Sequence, residues 1–451
     1  MLDIKYVVSH AQAVAQNTAN RFAAGDVDAL LEAYKKRNEV LTRLEQLRAV
    51  ANAIARQTGK LDQDAPTLFA QIPLSLQADL GIQTVTDVRA QDRPWLVTTG
   101  KRCKELVPAL EQETAQLDKE LDVLARALPN LTHPDTPLGR TDDDHHVLRH
   151  VGEPRAFDFT PLDHVQLAEK LHLIDFEAGA KVAGQKFYFL QNELVLLDLA
   201  LQRLALELLR SKGYQLVATP DLARPAILEG IGFNPRGAET QVYSIADHDL
   251  CLVGTAEITI GGMLANTILQ PGELPIRIAG ISHCFRTEAG SGGRESRGLY
   301  RVHQFSKVEM FIFCPGDLEA SNAMHAELLA IEEELFQSLE IPYRVLDICA
   351  GDLGAPAYRK FDIEAWMPGR GVYGEVTSTS NCTDYQARRL DIRYYPEEGQ
   401  KPRFVHTLNG TAVATSRALI AVLENHQQAD GSVTIPAILR PHLPFASIVP
   451  R

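Results

Sequence analysis

The segment FRTEAGSGGRESRGLYRVHQFSKVEMF, residues 285–311, concentrates arginines, acids, glycines and aromatics in one short stretch. Its ends predict two strands, and its glycine- and serine-rich centre AGSGGRESRG predicts the loop that joins them. In the second strand, side chains two positions apart share one face of a sheet. That face carries Arg301, His303, Phe305, Lys307, Glu309 and Phe311. Burying these charges is costly without a polar partner, so the face indicates a site for a charged ligand.

The first strand of the segment adds Arg286 and Glu288, which are predicted to share a face. A guanidinium is planar and can bind a phosphate or a carboxylate with two hydrogen bonds. The pattern therefore predicts an anion site. Cross-strand salt bridges on a solvated sheet are the alternative explanation of the same residues. A Walker-type phosphate loop is excluded, because the sequence has no GxxxxGK[ST].

Two further segments carry compatible chemistry. VYGEVTSTSNC places Glu375, Thr377 and Ser378 after a glycine, and their oxygens suit magnesium and phosphate. NGTAVATSRALIAVLEN starts with polar groups and continues into a predicted helix that carries Arg417, a side chain able to stack on a base. Each segment taken alone is also compatible with a structural role.

Composition restricts the class of protein. The chain has 451 residues and a formal net charge of −13, which weighs against a general polyanion binder and requires any nucleic-acid contact to use a local basic patch. Six cysteines show neither CxxC pairs nor zinc-ligand spacing, so we expect no disulfide framework and no structural zinc. The start MLDIKYVVSHAQ lacks signal features and the chain lacks a long apolar run, so a cytoplasmic protein without a membrane span is expected.

Two helical patterns dominate the first third of the chain. The first follows the cap residue Asp26, and the second is a heptad-like stripe from Leu110 to Leu128. Together they predict an antiparallel hairpin, a coiled-coil arm for binding or merely for dimerisation, interrupted by residues 59–100, which show no sustained period.

Beyond the arm, proline and aspartate in PNLTHPDTPLGRTDDDHH predict a linker, and a metal site in its DDDHH run would need ligands from elsewhere. Alternating strands and helices with short connections follow, which favours an antiparallel α+β domain. We therefore expect an arm domain at 1–130, a linker at 131–150 and a catalytic domain at 151–451.

Read together, these segments resemble seryl-tRNA synthetases of the bacterial and organellar type, which are class II aminoacyl-tRNA synthetases. The opening segment resembles the second class motif, KGYQLVATPDLARP the first, and NGTAVATSRALIAVLEN the third. The resemblance covers nearly the whole chain. It implies a class II antiparallel sheet flanked by helices, with the N-terminal helical hairpin as a tRNA-binding arm. It further implies ATP-dependent attachment of serine to tRNA(Ser), and to tRNA(Sec) where present, through a seryl-adenylate.

The resemblance also implies roles for individual residues. Arg286, Glu375 and Arg417 would be catalytic, and Glu375 and Ser378 would hold magnesium with the ATP phosphates. Serine would be bound by Thr255, Ala256, Glu257, Arg286, Glu309, Asn409 and Thr411. ATP would be bound by Arg286, Thr287, Glu288, Arg301, Val302, Phe305, Glu375, Val376, Thr377, Ser378 and Arg417. The candidate contacts to the long variable arm of the tRNA are Lys35, Lys36, Arg37, Arg43, Arg48, Lys101, Arg102 and Lys104. The alternative is that these are solubilising charges interspersed with glutamates.

The implied partners are ATP, L-serine, tRNA(Ser) and a second copy of the chain in a homodimer. Two other hypotheses stay open at this point. A homologue that aminoacylates a carrier protein would usually lack the arm, and an inactive paralogue would be expected to have lost Arg286, Glu309 or Arg417, which are all present.

Overall fold

The computed structural model describes residues 1–233, 241–289 and 297–451. The centre of the predicted loop, AGSGGRESRG, therefore lies largely outside the described residues. The described residues form two compact units. The larger comprises Met1–Asp3, Gln16–Ala23 and the described part of Pro129–Arg451, and the smaller comprises Ile4–Ala15 and Ala24–Leu128.

Long helices make up most of the first 128 residues. The helices are α1 (Ile4–Ser9), α2 (Ala11–Asn20), α3 (Val27–Lys60), α4 (Ala65–Ala70), α5 (Leu74–Leu80) and α6 (Arg93–Ala127). Helix α3 begins where the sequence predicts it, because the Asp26 carboxylate accepts a hydrogen bond from the amide of Ala29 at 2.9 Å. Helix α6 begins after the cap residue Asp92, with a proline in its first turn.

Helices α3 and α6 run antiparallel. Ion pairs join Arg37 to Asp118 at 2.9 Å and Arg48 to Glu111 at 2.6 Å, so residue numbers rise along one helix as they fall along the other. The apolar stripes of the two helices supply most of the buried residues between them. These include Leu30, Leu44, Leu47, Leu110, Leu117 and Leu121. The predicted helical hairpin is confirmed.

The segment between the two long helices has more structure than its sequence indicates. It contains α4, α5 and a 3₁₀ turn at Val85–Asp87, whereas the sequence shows no period there. Leu68 and Leu76 are fully buried in one hydrophobic cluster with Leu47 of α3. Helices of six or seven residues bury only one or two side chains each, which is too few to produce a visible helical period.

The larger unit is built on an eight-stranded sheet with the order β1-β10-β11-β12-β15-β9-β8-β4. The strands are antiparallel apart from the β4–β8 pair, which is parallel. This confirms the α+β class. The sheet strands are β1 (His146–Val151), β4 (Gln215–Ala218), β8 (Ile276–Phe285), β9 (Gln304–Cys314), β10 (Tyr343–Asp347), β11 (Arg359–Met367), β12 (Val372–Asn381) and β15 (His406–Ala414).

Helices and two-residue strands surround this sheet. The helices are α7 (His164–Leu171), α8 (Phe176–Ala183), α9 (Glu193–Ser211), α10 (Pro225–Ile231), α11 (Ala256–Met263), α12 (Leu318–Ser338), α13 (Tyr385–Leu390) and α14 (Thr415–Asn425). Two-residue strands are β2 (Ile174–Asp175), β3 (Phe189–Leu190), β5 (Leu222–Ala223), β6 (Cys251–Leu252), β7 (Ile268–Leu269), β13 (Arg393–Tyr394), β14 (Arg403–Phe404), β16 (Val433–Thr434) and β17 (Ser447–Ile448). Further 3₁₀ turns lie at Asp142–Asp144, Ala350–Asp352 and Ala437–His442.

Hydrophobic side chains cover both faces of the central strand β9. Val308 and Met310 belong to a cluster with α9, α12 and α14, whereas Phe311 and Phe313 belong to a second cluster with α10, α11 and α13. Alternate residues of one strand thus point into two different cores. Because both cores hold it, β9 is a rigid support for any polar residue that it carries.

The predicted linker ends earlier than expected. Residues 146–151 form β1, an edge strand that pairs with β10, so they belong to the sheet and not to a linker. The strand could not be recognised in the sequence, because HVLRHV has only three apolar residues and follows an acidic run. The segment forms a strand because it pairs with the buried strand β10. Among the described residues, no helix is long and apolar enough to cross a membrane.

Candidate active site

A cavity of about 860 Å³ opens on the large sheet. Its walls come from β9, β11, β12, β15, helix α11 and the connection that follows β8. The predicted residues that line it are Thr255, Glu257, Arg286, Glu288, Arg301, Glu309, Glu375, Ser378, Asn409 and Thr411. Residues as far apart in the chain as Thr255 and Thr411 therefore line one cavity, together with Arg286, Arg301 and Glu309 of the segment 285–311.

The polar face of β9 is shorter than predicted. Lys307 and Glu309 lie on it and line the cavity, but Arg301 and His303 precede the strand. Pairing with β8 starts only at Gln304, opposite Phe285, the last residue of β8. Since the ladder sets where the alternation begins, Arg301 reaches the cavity from an irregular segment and not from the strand face.

Arg286 and Glu288 also lie beyond a strand. They follow the end of β8, and Glu288 has a φ of 51°, so the predicted shared strand face does not exist there. Arg286 nevertheless borders the cavity. Its Nε donates to the carbonyl of Gly254 at 3.4 Å, and its guanidinium lies 5.3 Å from the Phe305 ring centroid. The guanidinium is therefore held by weak contacts, which leaves its hydrogen-bonding capacity for an anion.

Two carboxylates form one end of the cavity. Glu309 Oε2 accepts from the Thr411 hydroxyl at 3.4 Å and lies 2.5 Å from Lys307 Nζ. Glu257 Oε1 accepts from the amides of Gln386 at 2.8 Å and Asn409 at 2.9 Å. Burial, together with the nearby Glu309 charge, raises the pKa of Glu257 to about 7. Two acids lining the same end of the cavity favour the binding of a cationic group there.

Glu375 and Arg417 form the opposite end. Arg417 Nη1 lies 3.1 Å from Glu375 Oε1, and its guanidinium stacks 4.6 Å from the Tyr300 ring centroid. Burial by itself would raise the pKa of Glu375, but Arg417 and Lys360 hold it well below the usual carboxyl value. Glu375 is therefore ionised at neutral pH, beside a stacking surface of arginine and tyrosine.

A smaller cavity of about 50 Å³ continues from this end. This smaller cavity is lined by predicted ATP-binding residues that do not line the main cavity, together with several that line both. The residues are Arg286, Glu288, Arg301, Val302, Phe305, Glu375, Val376, Thr377 and Arg417, with Tyr300 and Lys307 among the others. Although Thr377 borders it, the Thr377 hydroxyl donates to the buried Glu332 at 2.9 Å.

Two predicted residues lie behind the lining. Ala256 is fully buried in the hydrophobic cluster of α11, and the Thr287 amide donates to the carbonyl of Gln241 at 3.2 Å. Thr255 caps α11, since its hydroxyl accepts from the amide of Glu257 at 3.2 Å. The TAE segment thus fixes the first turn of α11 and so the position of the Glu257 carboxylate.

Sequence reasoning assigned no ligand or partner to three polar residues of the site, although it placed Lys307 on the charged face of the segment 285–311. Lys307 and Lys360 both line the cavity, and Lys360 Nζ lies 3.1 Å from Asp362. Gln386 is fully buried, and its amide group bridges Glu257, the carbonyl of Ile231 and the hydroxyl of Thr407. Alternation in KFDIEAW could have indicated Lys360 and Asp362 of β11. No local pattern distinguishes Gln386, which lies in the six-residue helix α13.

The chemistry of the β11 and β12 side chains fits a magnesium ion. Glu375 and Ser378 supply a carboxylate and a hydroxyl at the cavity, and both are the oxygen ligands that magnesium prefers. Asp362, opposite Ser378 in the strand ladder, has a buried Oδ1 without a hydrogen-bond partner among the described residues. A buried carboxylate oxygen without a hydrogen-bond partner, beside Glu375 and Ser378, favours the binding of a cation there.

The arm carries the predicted tRNA-binding cations, which fall into two groups. Arg37, Arg43, Arg48 and Lys101 form ion pairs with acidic residues of the same unit. The side chains of Lys35, Lys36, Arg102 and Lys104 are exposed. A groove of about 690 Å³ on α3 is lined by Lys35 and Arg43, with Ser75 of α5 on its other side. The insert therefore contributes to the surface that carries the basic side chains.

The DDDHH run contributes to one small cluster outside the cavity. Ligand atoms of Asp142, His145 and Asp352 lie within 4.8 Å of one another, and His145 Nε2 is 3.5 Å from Asp352 Oδ2. The Asp352 partner raises the pKa of His145. Because both acids are exposed, this arrangement is a surface ion pair rather than an enclosed metal site.

Comparison with known families gives two matches. Residues 1–73 match the seryl-tRNA synthetase N-terminal domain, and residues 241–426 match the tRNA synthetase class II core domain (G, H, P, S and T). The first match covers the start of the helical arm. The second contains most of the residues that line the cavity.

Similar proteins and structures extend over the whole chain. Serine--tRNA ligases of Rubrobacter xylanophilus and Treponema denticola are 52% and 50% identical, covering 98% and 99% of this chain and 98% and 100% of theirs. The seryl-tRNA synthetase of Pyrococcus horikoshii complexed with ATP superimposes with a TM-score of 0.88 at 38% identity, covering 100% of both chains. The cytoplasmic serine-tRNA ligase of Naegleria fowleri in complex with AMP gives 0.84 at 30% identity, covering 100% of this chain and 99% of the other.

Proposed function

The chain belongs to the seryl-tRNA synthetase family of class II, and we propose that its cavity forms seryl-adenylate and passes the seryl group to the 3′ end of tRNA(Ser). The chain is a serine--tRNA ligase. One observation carries the proposal for the cavity. Two carboxylates, the half-buried Glu257 and the buried Glu309, lie at one end, the Glu375–Arg417 pair lies at the other, and Arg286 borders the space that connects them.

Serine would occupy the carboxylate end. An ammonium needs carboxylate acceptors, and Glu257 and Glu309 are the two carboxyl groups at this end, while the serine hydroxyl needs a polar partner such as Thr411. Asn409 supports this end, because its amide donates to Glu257 at 2.9 Å. A buried polar site of this kind favours serine over alanine, since alanine would leave the hydroxyl-binding groups unpaired.

ATP would occupy the other end. The Arg417 guanidinium and the rings of Tyr300 and Phe305 border the smaller cavity and offer flat surfaces for a base. Arg301 and Glu288 lie at the junction of the two cavities, with Arg301 Nη1 3.6 Å from Glu288 Oε2. A phosphate that reached this junction would compete with Glu288 for Arg301.

The reaction needs two anions, the serine carboxylate and the α-phosphate, to approach each other. The Arg286 guanidinium lies between the two proposed binding ends and can neutralise both, which makes positioning and charge stabilisation the main catalytic effects. In-line attack of the carboxylate on the α-phosphorus then expels pyrophosphate. Glu375 and Ser378 would hold a magnesium ion, which supplies positive charge to the ATP phosphates.

The arm is proposed to recognise tRNA. Its exposed basic residues lie along α3 and near the start of α6, on a protein whose net charge is otherwise strongly negative. Phosphate contacts explain such a local concentration of lysine and arginine. The Arg37, Arg43 and Arg48 side chains are already paired with acids, so Lys35, Lys36, Arg102 and Lys104 are the stronger candidates. Serylation of tRNA(Sec), where that tRNA exists, belongs to the same proposal.

We also propose that two copies associate through the surface around β4 and α9. β4 is an edge strand, and apolar side chains near it are exposed to solvent. Leu196 and Leu199 of α9 are 41% and 55% exposed, and Leu216 of β4 is 39% exposed. An apolar patch beside a free sheet edge is typical of a protein interface. Sedimentation of Leu199→Glu and Leu216→Glu variants tests this assignment, since both should be monomeric.

The experiment that tests the function has two stages. Serine-dependent exchange of pyrophosphate into ATP reports the adenylate, and transfer of labelled serine to tRNA(Ser) reports the second step. Replacing Lys35, Lys36, Arg102 and Lys104 with alanine should preserve exchange and weaken tRNA charging, and each lost phosphate contact should flatten the dependence of log affinity on log salt by about one unit. Lys181→Ala with Lys401→Ala is the control, because both lysines are exposed on the larger unit. Equal charging by both variants at the same salt concentration would contradict the role of the arm.

A further inference from the structure

Lys307 and Glu309 form a buried ion pair in the wall of the cavity. The Nζ–Oε2 distance is 2.5 Å, and the two side chains are only 6% and 3% exposed. Both residues line the cavity, whereas Val308 between them points into the hydrophobic core on the other side of the sheet. The ion pair is therefore oriented by the alternation of β9 and held by two packed cores.

The two carboxylate oxygens of Glu309 differ in their contacts. Within the described part of the chain, Lys307 and Thr411 both contact Oε2, at 2.5 and 3.4 Å. These contacts leave Oε1 to interact with a bound molecule. We propose, on the basis of the serine site assigned above, that Lys307 is a positioning residue that keeps Glu309 ionised and fixed through Oε2, so that Oε1 can bind serine throughout the neutral pH range.

The need for such a cation follows from the surroundings of Glu309. Burial raises the pKa of the Glu309 carboxyl, and Lys307 is the first of the groups that oppose this effect, followed by Arg286. Two other buried acids add negative charge nearby. The charged and titratable groups that face Glu309 are Lys307 on β9, Arg286 after β8, Cys284 on β8, Glu257 on α11 and Glu332 on α12, with the neutral Thr411 on β15.

The ion pair also explains how one pocket can hold two acids. Two carboxylates close together do not ionise independently, because each disfavours the charge of the other. Burial and the Glu309 charge raise the pKa of Glu257 to about 7, so Glu257 is partly protonated near neutral pH. The Lys307 ammonium, 2.5 Å from Glu309 Oε2, favours the charged form of Glu309. The site thus keeps one anionic acceptor for the serine ammonium before the substrate arrives.

The test is the pH dependence of serine binding in Lys307→Met, which has a neutral side chain of similar length. At pH 7 we expect the KM for serine in pyrophosphate exchange to rise about 10- to 100-fold, with the KM for ATP changed less than about twofold. Between pH 7 and 9 the serine KM should then fall by up to about tenfold per pH unit, as Glu309 loses its proton. Lys307→Arg retains the charge and should follow the wild-type pH profile.

Two comparisons make the result decisive. Glu309→Gln should weaken serine binding, and adding Lys307→Met to it should produce no further pH dependence, because the titrating group is gone. If Glu309→Gln binds serine like the wild type, the proposed serine site is wrong. If Glu309→Gln is impaired but the Lys307→Met profile stays parallel to that of the wild type from pH 6.5 to 9, only the role of Lys307 is overturned.

A measurement on the unmodified protein covers the case in which the methionine variant does not fold. Calorimetric titration of serine at pH 7, in buffers of different ionisation enthalpy, counts the protons released on binding. With Glu309 already ionised, only Glu257 can release a proton, so the count should stay below one. A count above one means that both acids are protonated in the free enzyme, which overturns the proposal.

Discussion

Arg286→Ala is the most direct test of the proposed chemistry, because the structure separates its catalytic effect from its effect on folding. In the described structure the side chain makes one long hydrogen bond, 3.4 Å from Nε to the Gly254 carbonyl, and stacks 5.3 Å from the Phe305 ring centroid. A cation–π contact of this kind stabilises a fold by about 0.5–1 kcal/mol. The variant should therefore remain folded.

The effect on adenylate formation should be much larger. Two unit charges 4 Å apart interact by about 4 kcal/mol at an effective dielectric constant of about 20. Removal of one preorganised donor from a site that stabilises developing charge costs roughly 3–4 kcal/mol, a factor of about 10²–10³ in rate. Both estimates agree, so pyrophosphate exchange should fall by at least about 10²-fold while the thermal midpoint changes little.

The assay compares Arg286→Ala with Arg277→Ala in the same exchange reaction. Arg277 lies on β8 and binds Glu327 with two hydrogen bonds of 2.9 Å, outside the residues that line the cavity. Its removal should lower stability by leaving Glu327 unpaired, with the exchange rate retained at a temperature where the variant is folded. Near-normal exchange in Arg286→Ala, or an equal loss in both variants, would refute the assigned role.

Three further predictions address pH, selectivity and the arm. Burial and the Glu309 charge raise the pKa of Glu257 to about 7, so the KM for serine should fall as the pH rises from 6 to 8 and then level off; a constant KM over that range contradicts an ammonium at Glu257. Thr411→Val should lower kcat/KM for serine by about 10- to 100-fold, since one buried hydrogen bond is lost, and should leave the low activity with alanine unchanged. Leu76→Ala should destabilise the arm by about 2–5 kcal/mol, seen in helix melting by circular dichroism, with serine activation intact; unaltered melting would show that the insert is not packed as described.

Local signals predicted the long elements of the fold well. Asp26 marks the start of α3 because its carboxylate caps the helix, and the stripe from Leu110 to Leu121 is buried against α3 as its spacing required. The antiparallel sheet followed from strand alternation and short connections. β1 and the insert helices could not be predicted in this way, because these segments become regular only by pairing or packing with residues that lie far away in the sequence.

The candidate site was predictable in its charged residues but not in their arrangement. Glu309 and Arg417 were identified by type and spacing, and both line the cavities. Arg301 was placed on the strand face, yet β9 starts three residues later, since the pairing partner β8 ends at Phe285. Gln386 was missed because its importance lies in bridging Glu257 to other segments, and no pattern within α13 reveals contacts between distant parts of a chain.

The proposed serine and ATP ends differ in how the fold supports them. Glu309 and Thr411 face each other in the paired strands β9 and β15, where both neighbouring cores restrict movement. Arg286 and Arg301 instead lie outside the strands, just after the end of β8 and just before the start of β9. Small displacements of a reacting group are costly in rate, so selection of the small serine side chain is best placed on the strands. Triphosphate binding relies on longer-range charge, which tolerates the less regular backbone that carries the arginines.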